Sequence, residues 1–211
     1  MLYSATRLVL AFLGLALFSQ FSAATLLTFD EPEVSFQQGY GTGDVYVESG
    51  FSLHNLSDPG RFGSFIRFNP DTQRVLSPNN GSIYVGITEH ANPWLQSVNG
   101  DPFSLIALDI AEYNSGRRSR GFELTGITTT GEVLSARLGL DNLLDGPGGI
   151  PDFQNYELNW SNLVRLDFDS DAVSFDNIQV AYIPAPSMAA LFGLAMVCLG
   201  ISRRKTRRGR A

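Results

Sequence analysis

The chain has 211 residues, 15 basic and 21 acidic side chains, a formal charge of −6 at pH 7 and one cysteine. A lone thiol excludes a disulfide-framed domain, and 44% hydrophobic with 17% charged residues excludes a disordered chain. All 21 carboxylates lie within residues 25–183 beside only eight arginines, so this segment carries −13, whereas six cations follow residue 202. Nucleic acid is therefore not an expected partner of residues 25–183.

The first 24 residues have the pattern of a secretory signal peptide. Arg7 precedes the uncharged apolar run of residues 8–18, and Ser22, Ala23 and Ala24 supply the small residues of a cleavage site. A buried helix is the alternative, but the N-terminal position and the unbroken apolar run favour the signal peptide. We expect signal peptidase to cleave after Ala24 and to export the protein, with residues 25–183 as its ectodomain.

The ectodomain shows the alternation of apolar and polar residues that is typical of β-strands. About nine or ten short strands separated by Gly, Asn, Asp and Pro turns predict an all-β fold, an antiparallel β-sandwich or jelly roll. No long segment of helical periodicity interrupts them. The predicted strands are Val45–Val47, Phe51–Leu53, Phe65–Phe68, Ser82–Thr88, Phe103–Ile110, Arg120–Ile127, Glu132–Leu138, Leu163–Phe168 and Val173–Val180.

The ectodomain lacks the common catalytic motifs. It contains no cysteine, no lysine and no Gly-x-Ser-x-Gly sequence, and its two histidines, His54 and His90, lack the spacing of a zinc site. We therefore expect a non-catalytic protein, with the paired carboxylates of a glycosidase as the alternative. Asp167, Asp169 and Asp171 alternate, so in a strand they share one face, which is either a solvated surface or a calcium-binding row.

Exposed aromatic side chains are the candidates for a sugar-binding surface. Trp94 is the first candidate, because the preceding Asn92-Pro93 indicates a loop, and Tyr40 and Tyr113 are further candidates. The alternative for each is a place in the core of the sandwich, since such cores also contain many aromatic residues.

The C-terminal segment has the pattern of a membrane anchor. Residues 187–202 form an uncharged, largely apolar span, and residues 203–210 form a basic tail. The span is shorter than the ~20 residues of an ordinary membrane helix, but arginine side chains can extend toward the head groups. By the positive-inside rule the tail stays cytoplasmic, which places the ectodomain outside.

This layout at the extreme C-terminus resembles a PEP-CTERM sorting signal. A Pro-x-Pro motif, a membrane span and a basic cluster follow one another as in that family, although Ala185 stands where the family usually has Glu. The matching residues are Pro184, Ala185, Pro186 and Ser187 in the motif and Arg203, Arg204 and Lys205 in the tail. The resemblance implies an exported protein of Gram-negative bacteria that make exopolysaccharide. It also implies processing near the motif by exosortase, a membrane protease-transpeptidase.

The two ends of the ectodomain resemble those of carbohydrate-binding-module-like jelly rolls. The segments that carry the resemblance are Leu27–Glu31 and Val173–Ile178. The resemblance implies that the first and last strands are neighbours and that Asp30, Glu31 and Asp176 hold a structural calcium ion, which prefers six to eight oxygen ligands. Solvated acidic residues at strand ends are the alternative.

Together these features predict an exported protein of the cell surface, biofilm or exopolysaccharide matrix. It is held at least transiently in the inner membrane, and its β-sandwich is expected to bind polysaccharide without catalysis. A glycan-processing hydrolase and a purely structural matrix or adhesion protein are the two alternatives.

Overall fold

The structure is a computed structural model that describes residues 23–56, 63–69, 77–113, 121–140, 152–169 and 172–183. Every regular element in these ranges is a β-strand. The strands are β1 (Ala24–Leu27), β2 (Gln37–Tyr40), β3 (Val45–Glu48), β4 (Phe51–Asn55), β5 (Phe65–Phe68), β6 (Tyr84–Ile87), β7 (Pro93–Ser97), β8 (Phe103–Glu112), β9 (Gly121–Thr128), β10 (Val133–Gly139), β11 (Gln154–Phe168) and β12 (Val173–Tyr182).

Residues Ala24–Ile183 form one compact unit. A second unit consists of Met1–Ala23 and Pro184–Ala211, of which only Ala23 belongs to the described part of the chain. The predicted signal peptide up to residue 22, the Pro-x-Pro motif, the membrane span and the basic tail lie outside the described residues. Within the described ranges, no helix is long and apolar enough to cross a membrane.

The strands pair in antiparallel fashion throughout the described structure, which confirms the predicted all-β antiparallel fold. The main path of the sheet runs β2-β5-β6-β12-β8-β11-β7-β4-β3, with β9 on β11, β10 on β9, and β1 on β12. This path folds over on itself into two layers. Phe51 of β4 packs against Phe103 of β8 at a ring-centroid distance of 5.4 Å, and Phe168 of β11 stacks on Phe175 of β12 at 4.6 Å.

The long strand β11 belongs to both layers. Its first half, from Gln154 to Trp160, pairs with β8, whereas the stretch from Arg165 to Phe168 pairs with β9. The register shifts between these halves, where Asn159 and Asn162 have positive φ angles of 53° and 59°. Asparagine tolerates this backbone conformation better than most residues, so the local sequence permits the strand to leave one layer and enter the other.

The first and last strands of the unit are neighbours. Residues Ala24 to Leu27 of β1 pair with Ala181 to Ile178 of β12. The polypeptide therefore enters and leaves the unit at the same pair of strands, as the resemblance to carbohydrate-binding modules implied.

A buried arginine and a glutamate fix the segment that follows β1. Arg67 of β5 has no exposed surface, and it donates hydrogen bonds to the Phe29 carbonyl from Nε at 2.9 Å and to the Pro32 carbonyl at 2.6 Å. Glu48 of β3 accepts hydrogen bonds from the Thr28 and Phe29 amides at 3.1 and 3.0 Å. The carbonyls and amides of this irregular segment thus find partners without a strand ladder.

Candidate functional site

A row of side chains crosses six strands on the outer face of one layer. Cross-strand pairing places its members side by side, and each is at least partly exposed. The next residue along the strand is buried in every case except Ala136 of β10, which is half-buried. With ~4.8 Å between neighbouring strands, the row spans about 24 Å. In the order β3-β4-β7-β11-β9-β10 its members are Val45, His54, Trp94, Asp167, Thr125 and Ser135.

Trp94 lies in the middle of this row, on strand β7 and not in the loop that Asn92-Pro93 had indicated. Proline is compatible with the first position of a strand, which is why the strand begins at Pro93. The indole stacks on His54 with ring centroids 4.1 Å apart and planes at 6°, and the Arg165 guanidinium lies 4.6 Å from its centroid. Because β4 and β11 flank β7 on opposite sides, both faces of the indole are covered.

The indole nitrogen of Trp94 and the imidazole of its neighbour His54 differ in their hydrogen bonding. Its buried Nε1 has no hydrogen-bond partner in the described structure, an arrangement that costs about 1–3 kcal/mol. His54 Nε2 lies 2.9 Å from Ser52 Oγ. Burial first, and then the nearby positive charge of Arg165, lower the pKa of His54 below its usual value of 6.5. The surroundings of His54 therefore favour the neutral imidazole.

Arg165 and Asp167 form an ion pair beside the tryptophan. Arg165 donates from Nε to Asp167 Oδ1 at 2.7 Å, and one of its terminal nitrogens approaches the same oxygen. The second carboxylate oxygen, Asp167 Oδ2, has no partner among the described residues. The pair is partly open to solvent, with 37% and 28% of the two side chains exposed.

A surface groove of about 360 Å³ adjoins this ion pair. It lies between the beginning of β7, the end of β11 and the first half of β9, and it contains three carboxylates, one guanidinium, one amide and one hydroxyl group. Glu123 accepts a hydrogen bond from Ser135 Oγ at 2.8 Å through Oε1. The described residues that line the groove are Asn92, Pro93, Glu123, Thr125, Arg165, Asp167, Phe168 and Asp169.

The other two aromatic candidates lie elsewhere. Tyr40 is buried in the core, stacked on Phe65 at 4.6 Å and in edge contact with Tyr46, so its ring is not available to a ligand. Tyr113 follows β8 and packs edge-on against Phe68 of β5 at 6.0 Å. The structure therefore does not bring Tyr40, Tyr113 and Trp94 to one surface.

The three residues expected to bind calcium are only partly brought together. Asp30 accepts a hydrogen bond from the Ile83 amide at 3.0 Å, and Asp176 contacts the same turn, but Glu31 is exposed and only its carbonyl is engaged, by the Tyr46 hydroxyl. The described residues contain no group of three His, Cys, Asp or Glu side chains arranged for a metal ion.

Asp176 is fully buried and accepts hydrogen bonds from three protein donors. Its Oδ2 accepts from Asn80 at 2.6 Å and Ser82 at 2.7 Å, and its Oδ1 accepts from the Asn177 amide at 2.7 Å. Burial outweighs these hydrogen bonds and, with the nearby negative charge of Asp30, raises the pKa of Asp176 to about 7. A calcium ion at Asp176 would therefore have to share or displace these hydrogen bonds, and the calcium site stays a prediction.

Most residues of the groove were not singled out by the sequence. The alternation of Asp167, Asp169 and Asp171 predicted a shared outer face. Asp167 and Asp169 both line the groove, and Asp171 lies outside the described residues. Glu123 and Thr125 also alternate along a predicted strand, but which strands lie side by side depends on pairing over long sequence distances. Pairing of β11 with both β7 and β9 creates the groove, and no local pattern indicates it.

No protein-family model and no curated protein sequence matches the chain. Among solved structures, the chain is similar to a DUF4465 family protein from Bacteroides caccae, with 14% identity and a TM-score of 0.52 over 76% of this chain and 99% of that one. The two proteins share the β-sandwich fold. The CBM22-1 xylan-binding domain of Paenibacillus barcinonensis Xyn10C also matches, with 10% identity and a TM-score of 0.32 over 79% of this chain and 99% of that one.

Proposed function

We propose that the ectodomain is a non-catalytic carbohydrate-binding domain and that the groove between β7, β11 and β9 is its binding site. The observation that carries this proposal is the convergence of Asp167, Arg165, Glu123 and Thr125 on one concave surface beside a rigidly held tryptophan. Ligand sites commonly combine a concavity with a few convergent polar groups.

The chemistry of the groove suits polyhydroxylated ligands. A sugar presents adjacent hydroxyl groups, each of which is both a donor and an acceptor. Carboxylates accept from such hydroxyls, and the Asn92 amide and Thr125 hydroxyl can donate and accept. The row that crosses the groove spans six strands, which offers an extended polymer a longer contact than one sugar ring requires.

Trp94 supports the site without offering a stacking surface in this structure. Its faces contact His54 and Arg165, so a sugar ring cannot stack on the indole unless one of them moves. Its function in the proposal is to hold the Arg165 guanidinium flat against the sheet, where the ion pair with Asp167 fixes the guanidinium from a second direction. Such support keeps the polar groups of the groove in one geometry.

Affinity electrophoresis of the exported protein through gels containing neutral polysaccharides tests this proposal. We expect retardation that Asp167→Asn and Trp94→Ala both weaken. Asp101→Asn is the matched control. Asp101 is exposed and follows the C-terminal end of β7, whereas Asn92 and Pro93 of the groove lie at its N-terminal end. Melting temperatures of all variants separate loss of binding from loss of folding. Retardation that is unchanged in both groove variants contradicts the proposal.

A glycan hydrolase is the second candidate, because Glu123 and Asp167 line the same groove and glycosidases use two carboxylates. Release of reducing ends from a retained polysaccharide, abolished by Glu123→Gln, would establish the enzyme. If the protein neither binds polysaccharide nor releases sugar from it, the remaining alternative is a purely structural matrix or adhesion protein.

We further propose that the protein is exported by its signal peptide and sorted by an exosortase at the cell surface or into the extracellular matrix. The support is the sequence of residues 184–211, with its Pro-x-Pro motif, apolar span and basic tail. The mass of the mature protein from envelope and medium tests this. Loss of the tail from the mature form is expected, and an intact tail on every molecule contradicts it.

A further inference from the structure

The layer β3-β4-β7-β11-β9-β10 has an open edge at each end within the described ranges. β3 pairs only with β4, and β10 pairs only with β9. Neither strand contains a lysine or a proline, and neither pairs with its neighbour through a bulge. Because these are the usual means of preventing edge-to-edge pairing, both edges can accept a further strand.

On β10, the backbone groups that point outward belong to Val133 and Ser135. The Thr128 amide donates to the Glu132 carbonyl at 3.0 Å where the β9–β10 hairpin turns. Bonding direction alternates along an antiparallel strand, so the even-numbered residues of β10 bond to β9 and the odd-numbered residues point away from it. No hydrogen bond joins the backbone of Val133 or Ser135 to another described residue on that side.

On β3, the corresponding groups belong to Val45 and Val47. The Leu56 amide donates to the Asn92 carbonyl at 3.2 Å, so the even-numbered residues of β4 bond toward β7 and the odd-numbered ones toward β3. Their bonding partners on β3 are even-numbered, which leaves the backbone of Val45 and Val47 open among the described residues. Both edges therefore present unpaired amides and carbonyls.

The direction of the strands makes the two edges fit each other. Every neighbouring pair in this six-stranded layer is antiparallel, so β3 and β10 run in opposite directions. A second copy that is shifted along the layer without being turned over presents its β10 antiparallel to β3 of the first copy. The first copy keeps its β10 open and the second copy keeps its β3 open, so the contact can repeat head to tail.

One register matches the exposed apolar side chains of the two edges. With Val45 opposite Ser135 of a second copy, Val47 lies opposite Val133. These two valines are 57% and 64% exposed, more than any other large hydrophobic side chain of the described residues. Their contact removes apolar surface of both copies from water, which favours association.

Charge favours the same pairing of unlike edges. In this register Arg137 of the second copy lies opposite Gly43, which has no side chain to obstruct it, and beside Asp44. Arg137 and Asp44 are both exposed, and Asp44 uses only Oδ2, which accepts from the Gly41 amide at 2.8 Å in the described structure. Pairing of two β10 edges would bring two Arg137 side chains together, and pairing of two β3 edges would bring two Asp44 side chains together.

A like-charge contact limits the length of the pairing. Glu48 and Glu132 of the second copy would be neighbours beyond the pair formed by Val47 and Val133. Glu48 already accepts hydrogen bonds through both carboxylate oxygens within its own copy, and Glu132 precedes β10. The ladder is therefore expected to end at the two valines, which gives a weak contact of about four backbone hydrogen bonds.

We propose that the β3 edge of one copy pairs with the β10 edge of a second copy and that the protein associates head to tail into open arrays. The proposal goes beyond the proposed function and does not depend on sugar binding. In such an array the row of outer side chains continues from Val45 of one copy to Ser135 of the next.

Disulfide cross-linking of the full-length protein under a mild oxidant tests the proposal. Cys198, the only cysteine of the chain, is first replaced by serine. Positions 47 and 133 of one copy lie at opposite edges of the layer, about 24 Å apart, whereas a disulfide requires Cα atoms about 4.4–6.8 Å apart. We therefore expect the variant with both Val47→Cys and Val133→Cys to cross-link between copies and to form a ladder of multimers.

The single variants distinguish a head-to-tail contact from a symmetric one. An equimolar mixture of the Val47→Cys and Val133→Cys proteins is expected to give cross-linked dimers and nothing larger. Each single variant alone is expected to give no more dimer than Val98→Cys, the matched control, because Val98 is an exposed valine that follows β7 in the interior of the layer. All three positions are exposed, so the variants are expected to fold normally.

The charge contribution is tested in the variant with both cysteines. Arg137→Glu is expected to slow the formation of the ladder by up to about fivefold, as one exposed ion pair allows. Cross-linking of the mixture that does not exceed the Val98→Cys control overturns the proposal, and so does a single variant that cross-links with itself as well as the mixture does. A ladder that Arg137→Glu leaves unchanged overturns the register.

Discussion

Ala24 lies directly opposite Ala181, so the first residue of β1 pairs with the last strand of the unit. The amide of Ile183, immediately before Pro184, donates to the Pro102 carbonyl at 3.0 Å and holds the chain to the unit up to that point. The expected cleavage site after Ala24 and Ile183, the residue before the Pro-x-Pro motif in the sequence, therefore lie at the same strand pair. Cleavage at the expected site would remove one residue of β1, and we expect Thr25 to Leu27 to stay paired with β12.

The remaining part of β1 is expected to stabilise the exported protein through Leu27. Leu27 is 1% exposed in the core, whereas its neighbour Leu26 is 50% exposed. Leu27→Ala should lower the free energy of unfolding in urea by about 2–5 kcal/mol, and Leu26→Ala by less than about 0.5 kcal/mol. Equal losses would mean that β1 does not dock on β12 as described.

We expect the shape and the hydrogen bonds of the Arg67 guanidinium, and not only its positive charge, to stabilise the protein. Its Nε and terminal nitrogens reach Phe29, Pro32 and Gln38, and its planar group lies 4.7 Å from the Tyr46 ring centroid. Arg67→Lys keeps the charge but cannot make this set of bonds, so we expect a loss of about 2–3 kcal/mol in chemical denaturation. Arg137→Lys, at an exposed site, is the control and should be nearly neutral. A neutral Arg67→Lys would contradict the described contacts.

The buried carboxyl of Asp176 is expected to make the protein less stable as pH rises toward neutrality. Its pKa is raised from 3.8 to about 7, so between these values the folded state binds more protons than the unfolded state. The stabilising contribution is complete below pH 3.8 and is lost as pH rises through 7. Its slope approaches about 1.4 kcal/mol per pH unit between these limits.

Denaturation of wild type and Asp176→Asn from pH 4.5 to 8, in chelator, isolates this contribution. The difference between the two stability curves should slope across pH 4.5–6.5 and flatten above pH 7. Parallel curves would show that Asp176 titrates normally. Repeating the wild-type melt with calcium tests the predicted metal site directly. We expect no shift, since calcium would have to compete with the hydrogen bonds that Asp176 accepts from Asn80, Ser82 and Asn177, and a higher melting temperature would support the metal site.

Glycine is expected to be required at position 63 and not at position 39. A Cβ on Gly63 would overlap the backbone of His90 and Ala91, whereas a Cβ on Gly39 meets nothing within 4 Å. Gly63→Ala should destabilise the protein by about 1–3 kcal/mol, because backbone cannot move aside as a flexible side chain can. Gly39→Ala should be neutral or slightly stabilising. A tolerated Gly63→Ala would contradict the packing of this segment.

The sequence predicted the strands whose outer and inner faces differ most. All nine predicted segments overlap observed strands, because alternation of core and solvent positions is a local property. It missed three strands: β1, most of which precedes the segment Leu27–Glu31, β2, whose Gln37–Tyr40 sequence is polar on an edge, and β7, which begins with the turn residue Pro93. It also missed the first half of β11, where exposed polar residues alternate with residues that are only partly buried, so the contrast between the two faces is weak.

The candidate site was less predictable than the fold. Trp94 was predicted to lie in a loop, whereas it lies in strand β7 between His54 and Arg165, and its role in binding stays a prediction. These two residues are separated from it by many positions in the sequence, and only strand pairing makes them neighbours. Tyr40 was a candidate for the sugar-binding surface with the core as its alternative, and the structure places it in the core.

The stack of His54 on Trp94 is expected to be visible in the titration of His54. Burial and the charge of Arg165 disfavour the imidazolium, so the titration midpoint of His54 should lie below pH 6.5. The unfolded state then takes up the proton first as pH drops, so the free energy of unfolding should fall through that pH range. The chain has only two histidines, so proton NMR resolves both, and His54→Ala assigns the signal. Arg165→Gln should raise the His54 midpoint by removing a nearby cation, whereas Arg137→Gln should not. A His54 midpoint at or above 6.5, or one that ignores Arg165, would contradict the stacked arrangement around Trp94.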